Sequence, residues 1–426
     1  TAHGARVDCP AMPRDSRVAV IGAGAAGTMA AIAAATAGAE TLLLERTRDG
    51  GRKILISGGG RCNILPARVD ESRFVTDSSP NTLRKILRSW PHAEQVRFFE
   101  DELGLRLEEE VESGKLFPST HRARDVRDGL LDRAARAGAR FVPETRVTGF
   151  APEAGGWRVE REGGQPLRVG TLVVAPGGLS VPKAGGDGLG LSVLERLGHT
   201  MHPTYPALTP VTMDPPRFAD LAGISLPVSL TARDGTRTAA ASGGFLFTHR
   251  GYSGPAVLDV SHVIVRARAE GGPARLLVRW TDRDDAAWDA ALRADGARLV
   301  LTVLREALPA RLAAALLAHA GVGEDRTLAQ LRREERRALV ETLVRGELPW
   351  TGDEGYWKAE VTGGGVSLAE VDPRTLESRR HPGLFLCGEV LDAFGPIGGY
   401  NFLWAWATGR AAGRAAAEAV RRTDAP

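Results

Sequence analysis

At 426 residues the chain exceeds what one hydrophobic core organises, so two domains, or one large domain with a second inserted, are expected. Apolar residues at 43% and charged residues at 25% are ordinary for a globular protein and exclude a fibre or a disordered chain. A formal net charge of +3, carried mostly by arginines scattered among Asp and Glu, is too small to point to a polyanion, and nucleic acid is not expected as a partner.

Residues 1–15 read as a loose leader, with Pro10, Pro13 and scattered charges but no apolar signal core. Val18-Ala19-Val20-Ile21 then forms a short apolar strand, Gly22 to Gly27 a glycine turn, and Thr28 to Ala37 an alanine-rich helix ended by Gly38. Thr41 to Leu44 reads as a second buried strand finishing at Glu45, which completes a β-α-β unit. Gly22-Ala23-Gly24-Ala25-Ala26-Gly27 is G-x-G-x-x-G in the context that gives the pattern force. Its first glycine permits the tight turn, its second lets a pyrophosphate approach the backbone, and its third lets helix and strand pack closely. Glu45 falls where a carboxylate accepts hydrogen bonds from a ribose 2′-hydroxyl and would repel a 2′-phosphate. The pattern by itself serves NAD and FAD alike.

Arg52 to Pro66 is rich in glycine and small polar residues and reads as a structured loop. Its run Ser57-Gly58-Gly59-Gly60-Arg61-Cys62-Asn63 would bring backbone donors close to a flavin. Helices are expected at Pro80 to Trp90, His92 to Leu103 and Val126 to Ala137, the last closed by Gly138. Short strands at Phe141-Val142, Val147 to Phe150, Trp157 to Glu160 and Leu167 to Val169 suggest a small β-meander. Thr171 to Ala175 reads as a buried strand entering Pro176-Gly177-Gly178. Gly185-Gly186-Asp187-Gly188-Leu189-Gly190 does not fit G-x-G-x-x-G and lacks a preceding strand. No second dinucleotide domain is therefore expected, and NADH or NADPH would bind only transiently.

Around residue 202 the pattern changes. Ser225 to Ala239, Gly244 to Thr248 and Ala274 to Arg279 cluster β-formers between Gly and Pro, as an antiparallel barrel or sheet would. Asp282 to Gly346 is strongly helical with a break at Pro309 and reads as a helical insertion. Leu384 to Leu386 leads into Cys387-Gly388-Glu389-Val390-Leu391-Asp392, where carboxylates could face ribitol hydroxyls. Gly398-Gly399-Tyr400-Asn401 then opens a final helix, to Arg421, that should pack back on the first domain. Its unpaired N–H groups could stabilise negative charge at the N1 side of a reduced isoalloxazine.

The fold class read from this order is α/β. A discontinuous, Rossmann-like FAD domain of the two-dinucleotide-binding type (16–201 and 363–426) accompanies a β-barrel-like substrate domain (202–281 and 347–362) with a helical insertion at 282–346. Cys9, Cys62 and Cys387 have no Cys-x-x-Cys spacing, which argues against a metal site or a disulfide framework and for a reducing, cytoplasmic compartment. No run approaches the ~20 apolar residues of a membrane span. The oligomeric state is not legible.

Several segments together resemble the BaiN/YhiN-like family of NAD(P)/FAD-dependent oxidoreductases, some members of which are known as aminoacetone oxidase-type enzymes. They are Gly22 to Gly27, Gly51 to Asn63, Lys115 to Ser119, Phe247 to Pro255, Val361 to Val366 and Gly388 to Asn401. The resemblance runs from about Val18 to the end of the chain. It implies FAD held at the first glycine turn, at the Arg61-Cys62-Asn63 loop and at Gly399-Tyr400-Asn401. With the residue reading it names Gly22, Gly24, Ala25, Ala26, Gly27, Glu45, Arg46, Lys53, Ser57, Gly59, Gly60, Arg61, Cys62, Asn63 and Val147 as cofactor-binding. Ala175, Gly177, Gly388, Glu389, Asp392, Gly399, Tyr400, Asn401 and Phe402 complete that set.

Candidate reactive groups are Cys62, His249 and Tyr252, each with a structural reading beside the catalytic one: a small buried hydrophobe, a turn histidine, a packed aromatic. The expected activity is hydride transfer through flavin N5, as an NAD(P)H-dependent reductase of an activated C=C, C=O or C=N bond in a small organic substrate. The rival readings are an amine oxidase using oxygen and a flavin-dependent RNA-modifying or RNA-binding protein. Interleaved acids and the lack of a stacking pattern argue against the last.

Overall fold

The computed structural model describes residues 17–184, 186–293 and 296–423. The expected leader at 1–15 lies outside them. The chain divides into two compact units: the first runs to Gly178 and takes up Lys183–Pro203 and the chain from Gly364, and the second holds Leu179–Pro182 and Thr204–Gly363.

The first unit is built on a parallel sheet of β1 (Arg17–Ile21), β2 (Glu40–Leu44), β3 (Arg140–Val142), β4 (Thr171–Val174) and β5 (Leu384–Leu386) in the order β5-β4-β1-β2-β3. All pairings are parallel, and β1, β4 and β5 are buried along their whole length, as strands covered on both faces require. Phe141-Val142 therefore belongs to the sheet edge beside Leu43 and Leu44 and not to the meander in which the sequence places it. A three-residue apolar segment carries no signal for its partner, which the tertiary fold supplies. The meander itself consists of Val147–Glu153, Gly156–Arg161 and Leu167–Val169.

Helix α1 (Ala25–Thr36) follows β1, and α2 (Arg52–Ile56) lies inside the glycine-rich stretch expected to be irregular. Further on come α3 (Ala123–Ala137), ended by Gly138 in the left-handed region, α4 (Leu189–Arg196) and the long C-terminal α5 (Tyr400–Thr423). Helix α5 packs on α1 at backbone distance. A Cβ at Gly409 would stand 2.3 Å from the carbonyl oxygen of Ala26, and one at Gly413 would stand 2.1 Å from that of Ala30. The contact advances by four residues on both helices in the same sense, so α1 and α5 run parallel with their N-termini toward one end.

In the second unit a seven-stranded antiparallel sheet has edge strands Gly346–Leu348 and Gly352–Asp353. Residues 349–351 join these edges and can span at most about 14 Å, which forces the sheet to curl as a barrel does. The stretch Ser225 to Ala239 is not one strand. Asp234 Oδ1 accepts from the backbone N–H of Thr236 (3.0 Å) and Arg237 (2.7 Å), and this turn makes a hairpin of Ser225–Arg233 and Thr238–Thr248. A helix absent from the sequence reading, Pro255–Ala269, packs across the hairpin, its β-branched Val257, Val260, Val263 and Ile264 fully buried. The helices between Asp285 and Arg345 bury Trp288, Leu304, Leu317 and Leu343 in the same core as Phe245, Phe247 and Val278. They are part of the second unit's core and not an appended body.

Among the described residues no helix is long and apolar enough to cross a membrane, and no group of His, Cys, Asp or Glu could hold a metal ion.

Candidate functional site

The first glycine turn shows three separate steric demands. Gly22 has φ +96°, and a Cβ there would lie 2.4 Å from the carbonyl oxygen of Ala175 at the end of β4. Gly27 lies against the turn itself, where a Cβ would be 1.8 Å from the Gly22 oxygen. Gly24, by contrast, caps α1 with nothing within 4 Å of its Cβ position. Two of the glycines close the turn and the middle one keeps its outer face open. The first-turn N–H groups of α1, including those of Ala25 and Ala26, have no acceptor within the helix and confront that open space.

Glu45 sits beside the same turn. Its Oε2 accepts from the Ala23 N–H (2.9 Å), and its Oε1 accepts from the N–H (2.8 Å) and hydroxyl (2.7 Å) of Thr47. Carboxylate oxygens have two acceptor positions each, so Oε2 keeps one for a hydroxyl group of a ligand. Thr47 has no sequence signal that reveals this role. Neither has Arg127 of α3, which supports Gly51 from below and donates to the Asp49 carbonyl at 3.2 Å.

After α2 the chain turns through Gly58 (φ 54°) and Gly59 (φ 67°), and no atom lies within 4 Å of a Cβ at Gly59 or Gly60. Ser57 Oγ donates to the Ile54 carbonyl at 2.8 Å, which ties the loop to α2. Lys53 Nζ reaches Glu389 Oε2 at 2.7 Å, and the same carboxylate stands 4.0 Å from a Cβ at Gly177. Lys53, Gly177 and Glu389 therefore converge, from three segments far apart in sequence. Asn63 sits beneath Gly58, whereas Arg61 turns away to stack on Phe117 and pair with Glu110 at 2.9 Å.

The tail returns to this face. Gly388 is fixed by its N–H to Thr408 Oγ1 and by Trp404 Nε1 to its carbonyl, both 3.0 Å, and a Cβ there would lie 2.8 Å from Ala26 Cβ. Gly409 meets Ala26 nine residues after Tyr400, so the start of α5 stands about 13 Å beyond that contact along the helix axis. Two helix N-termini thus face the same side, offset along a common direction. Asn401 clamps Gly395 through both its amide atoms at 2.9 Å and fixes the loop leading into α5. A Cβ at Gly399 would lie 2.4 Å from Leu65.

Beyond Glu45 an open cleft of about 380 Å³ is lined by Arg146, Val147, Thr148, Asp187, Gly188, Leu189 and Ser192. Two residues before Val147, Thr145 donates its N–H to the Glu45 carbonyl at 2.8 Å. Arg46 pairs with Asp187 at 2.9 Å.

Other expected residues have partners within the protein. Asp392 is 2% exposed, and its Oδ2 receives the N–H groups of Asp77 (2.9 Å) and Ser78 (2.8 Å) and the Thr76 hydroxyl (2.9 Å), so it anchors that segment. Tyr400 donates its hydroxyl to the Arg68 carbonyl and accepts from the Asp70 N–H, both at 3.3 Å, which fixes its ring against the 68–70 segment. Phe402 stacks on Trp406. Tyr252 must be reassigned. It lies in the core of the second unit, gives its hydroxyl to the Pro349 carbonyl at 3.0 Å, and burial raises its pKa further from neutrality. Tyr252→Phe should cost about 1 kcal/mol of stability, read by denaturant titration, with turnover unchanged. His249 is exposed in the turn between two strands of the sheet.

Cys62 is fully buried at φ +63°, and burial pushes its thiol up to about 12. The thiolate that a nucleophile requires is absent near neutrality, so Cys62 serves the loop's packing. Iodoacetamide at pH 8 should leave Cys62 unlabelled in the folded protein, as checked by peptide mass mapping. Rapid labelling would restore a reactive role.

The HI0933-like protein Rossmann domain family matches residues 16–415. The chain is 34% identical over 395 residues to the ribosomal RNA dihydrouridine synthase of Escherichia coli strain K12, covering 91% of this chain and 95% of that one. It is 32% identical over 411 residues to the 3-dehydro-bile acid delta(4,6)-reductase of Clostridium scindens, covering 95% and 99%. In fold it is similar to 3-ketosteroid delta1-dehydrogenase from Sterolibacterium denitrificans, with a TM-score of 0.52 and 13% identity over 95% of this chain and all of that one.

Proposed function

The chain belongs to the HI0933-like Rossmann-domain family, the BaiN/YhiN-like group of its motifs, and from that premise we propose that it reduces a carbon–carbon double bond conjugated with a carbonyl group. It is an FAD-dependent oxidoreductase. The observation that carries the flavin part of the reading is the pair of parallel helix starts, α1 and α5, offset by about 13 Å along the helix axis. That arrangement offers two separate regions of positive potential, as a ligand with a pyrophosphate at one end and an electron-accepting ring at the other requires.

Bound FAD would supply the hydride at N5, recharged by a nicotinamide that visits without a domain of its own. The residues of the chain do the rest. The α1 amides at Ala25 and Ala26 would receive the pyrophosphate across the space Gly24 leaves open, and Glu45 Oε2 would accept a ribose hydroxyl. Lys53, paired with Glu389, would hold its carboxylate toward the ribitol hydroxyls. Gly59 and Gly60, with open space at their Cβ positions, would leave backbone free for the ring, and the α5 amides would lower the energy of negative charge on its N1 side. The cleft beside Val147 would receive the adenine.

Support for the C=C assignment comes from the names of the two relatives, each of which denotes adding hydrogen to a ring double bond. A conjugated carbonyl accepts charge as hydride arrives at the far carbon, so steroid enones and uracil rings pose one chemical problem. The E. coli relative favours a second reading, in which the double bond belongs to a uracil of ribosomal RNA. Anaerobic stopped-flow mixing tests the proposal. NADH or NADPH should bleach the flavin absorbance within the dead time to seconds, and a cyclic enone should restore it. Reoxidation by unmodified ribosomal RNA alone, with salt-dependent binding, would select the second reading. Bleaching only by an amine, with peroxide formed in air, would overturn both in favour of an oxidase.

A further inference from the structure

The segment Asp187-Gly188-Leu189 belongs to no dinucleotide fingerprint, yet it forms one wall of the cleft. Asp187 uses its two oxygens in different directions. Oδ1 accepts the Leu189 N–H at 3.1 Å and so ends the free approach to α4. Oδ2 takes Arg46 at 2.9 Å, 141 residues away in sequence, and stands 3.7 Å from Arg146 on the opposite wall of the cleft. Arg46 directly follows Glu45, the candidate ribose ligand. One carboxylate therefore ties together the end of β2, the first residues of the meander and the start of α4.

These ion pairs are about one-third exposed or more, with Arg46 and Asp187 side chains at 30% and 31%, and such pairs add little to folding stability. Their position suggests a different use. We infer that Asp187 is a latch for the adenosine half of FAD: paired with Arg46 and Arg146, it bridges the walls of the adenine cleft and slows escape of the bound dinucleotide. The inference rests on the FAD reading of the first unit. It assigns Asp187 a positioning role, since it acts by holding Arg46 and the α4 start in place.

Asp187→Asn separates the latch from the cap, because an amide oxygen still accepts from Leu189 N–H while the charge pairing with both arginines is lost. The measurement is the rate of FAD release from the intact protein, followed by the rise of flavin fluorescence after dilution, for wild type, D187N, R46Q and the double variant. Each single variant should release FAD about fivefold faster, and the double variant no faster than the quicker single. The difference between wild type and D187N should narrow at high salt, and the apoprotein melting temperatures should coincide. Wild-type release by D187N, or rate effects that multiply in the double variant, would overturn the latch while leaving the FAD reading intact. A wild-type protein that binds no FAD would overturn both.

Discussion

Gly24→Val is expected to give a folded, colourless protein whose affinity for FAD falls at least about 100-fold, a loss of about 2.7 kcal/mol of binding energy. Gly24 has φ −80° and ψ −170°, which any L-residue adopts, and nothing in the protein occupies its Cβ position. The side chain would fill the space through which a pyrophosphate meets the α1 amides, while folding would lose only part of an N-cap contribution of about 1 kcal/mol. Gly27→Val supplies the contrast. Its Cβ would stand 1.8 Å from the Gly22 oxygen, so the strand-to-helix turn could not close and both folding and cofactor binding should fail. Fluorescence titration with FAD and thermal melts by circular dichroism distinguish the two variants. A Gly24→Val protein that titrates like wild type would mean that no phosphate lies at this turn.

The second large effect falls on the helix pair. Gly413→Leu should lower the melting temperature by about 10 °C or prevent soluble expression, since overpacking of more than about 3 kcal/mol is forced on a backbone-to-backbone contact. A Cβ at Gly413 would stand 2.1 Å from the Ala30 carbonyl oxygen, and neither backbone can give way without lifting α5 from α1. Because α5 also sets the position of Tyr400 and the residues that follow, any folded fraction should bind FAD weakly. Arg414→Leu on the exposed face of the same helix is the control and should melt like wild type. Equal melting curves for the two variants would show that the helices do not meet as described.

The stretch from Val18 to Glu45 is legible without coordinates because every signal in it is local. An apolar strand, a glycine turn, an alanine helix and a second apolar strand follow one another within thirty residues, and each glycine has a steric role that the motif already states. The return of the C-terminal helix is legible for a related reason: its small residues, Gly409 and Gly413 among them, permit only close packing on a similar surface. Candidate reactive groups are less legible. Tyr252 and Cys62 have reactive side chains in suggestive motifs, but burial and hydrogen bonding decide what such groups can do, and both depend on neighbours far away in sequence.

The amino-acid order by itself determines the β-α-β dinucleotide unit, the family and the α/β class with an antiparallel second unit, since these rest on periodicity and on motifs read within short windows. The partner of Phe141-Val142, the helix at Pro255–Ala269 and the common core of sheet and helices in the second unit are decided only by the tertiary structure. So is the meeting of Asp187 with Arg46. A short or β-branched apolar segment gains similar burial as strand or helix, and a charged side chain gains a partner only when the fold brings one within reach, so neither choice is written in the local sequence.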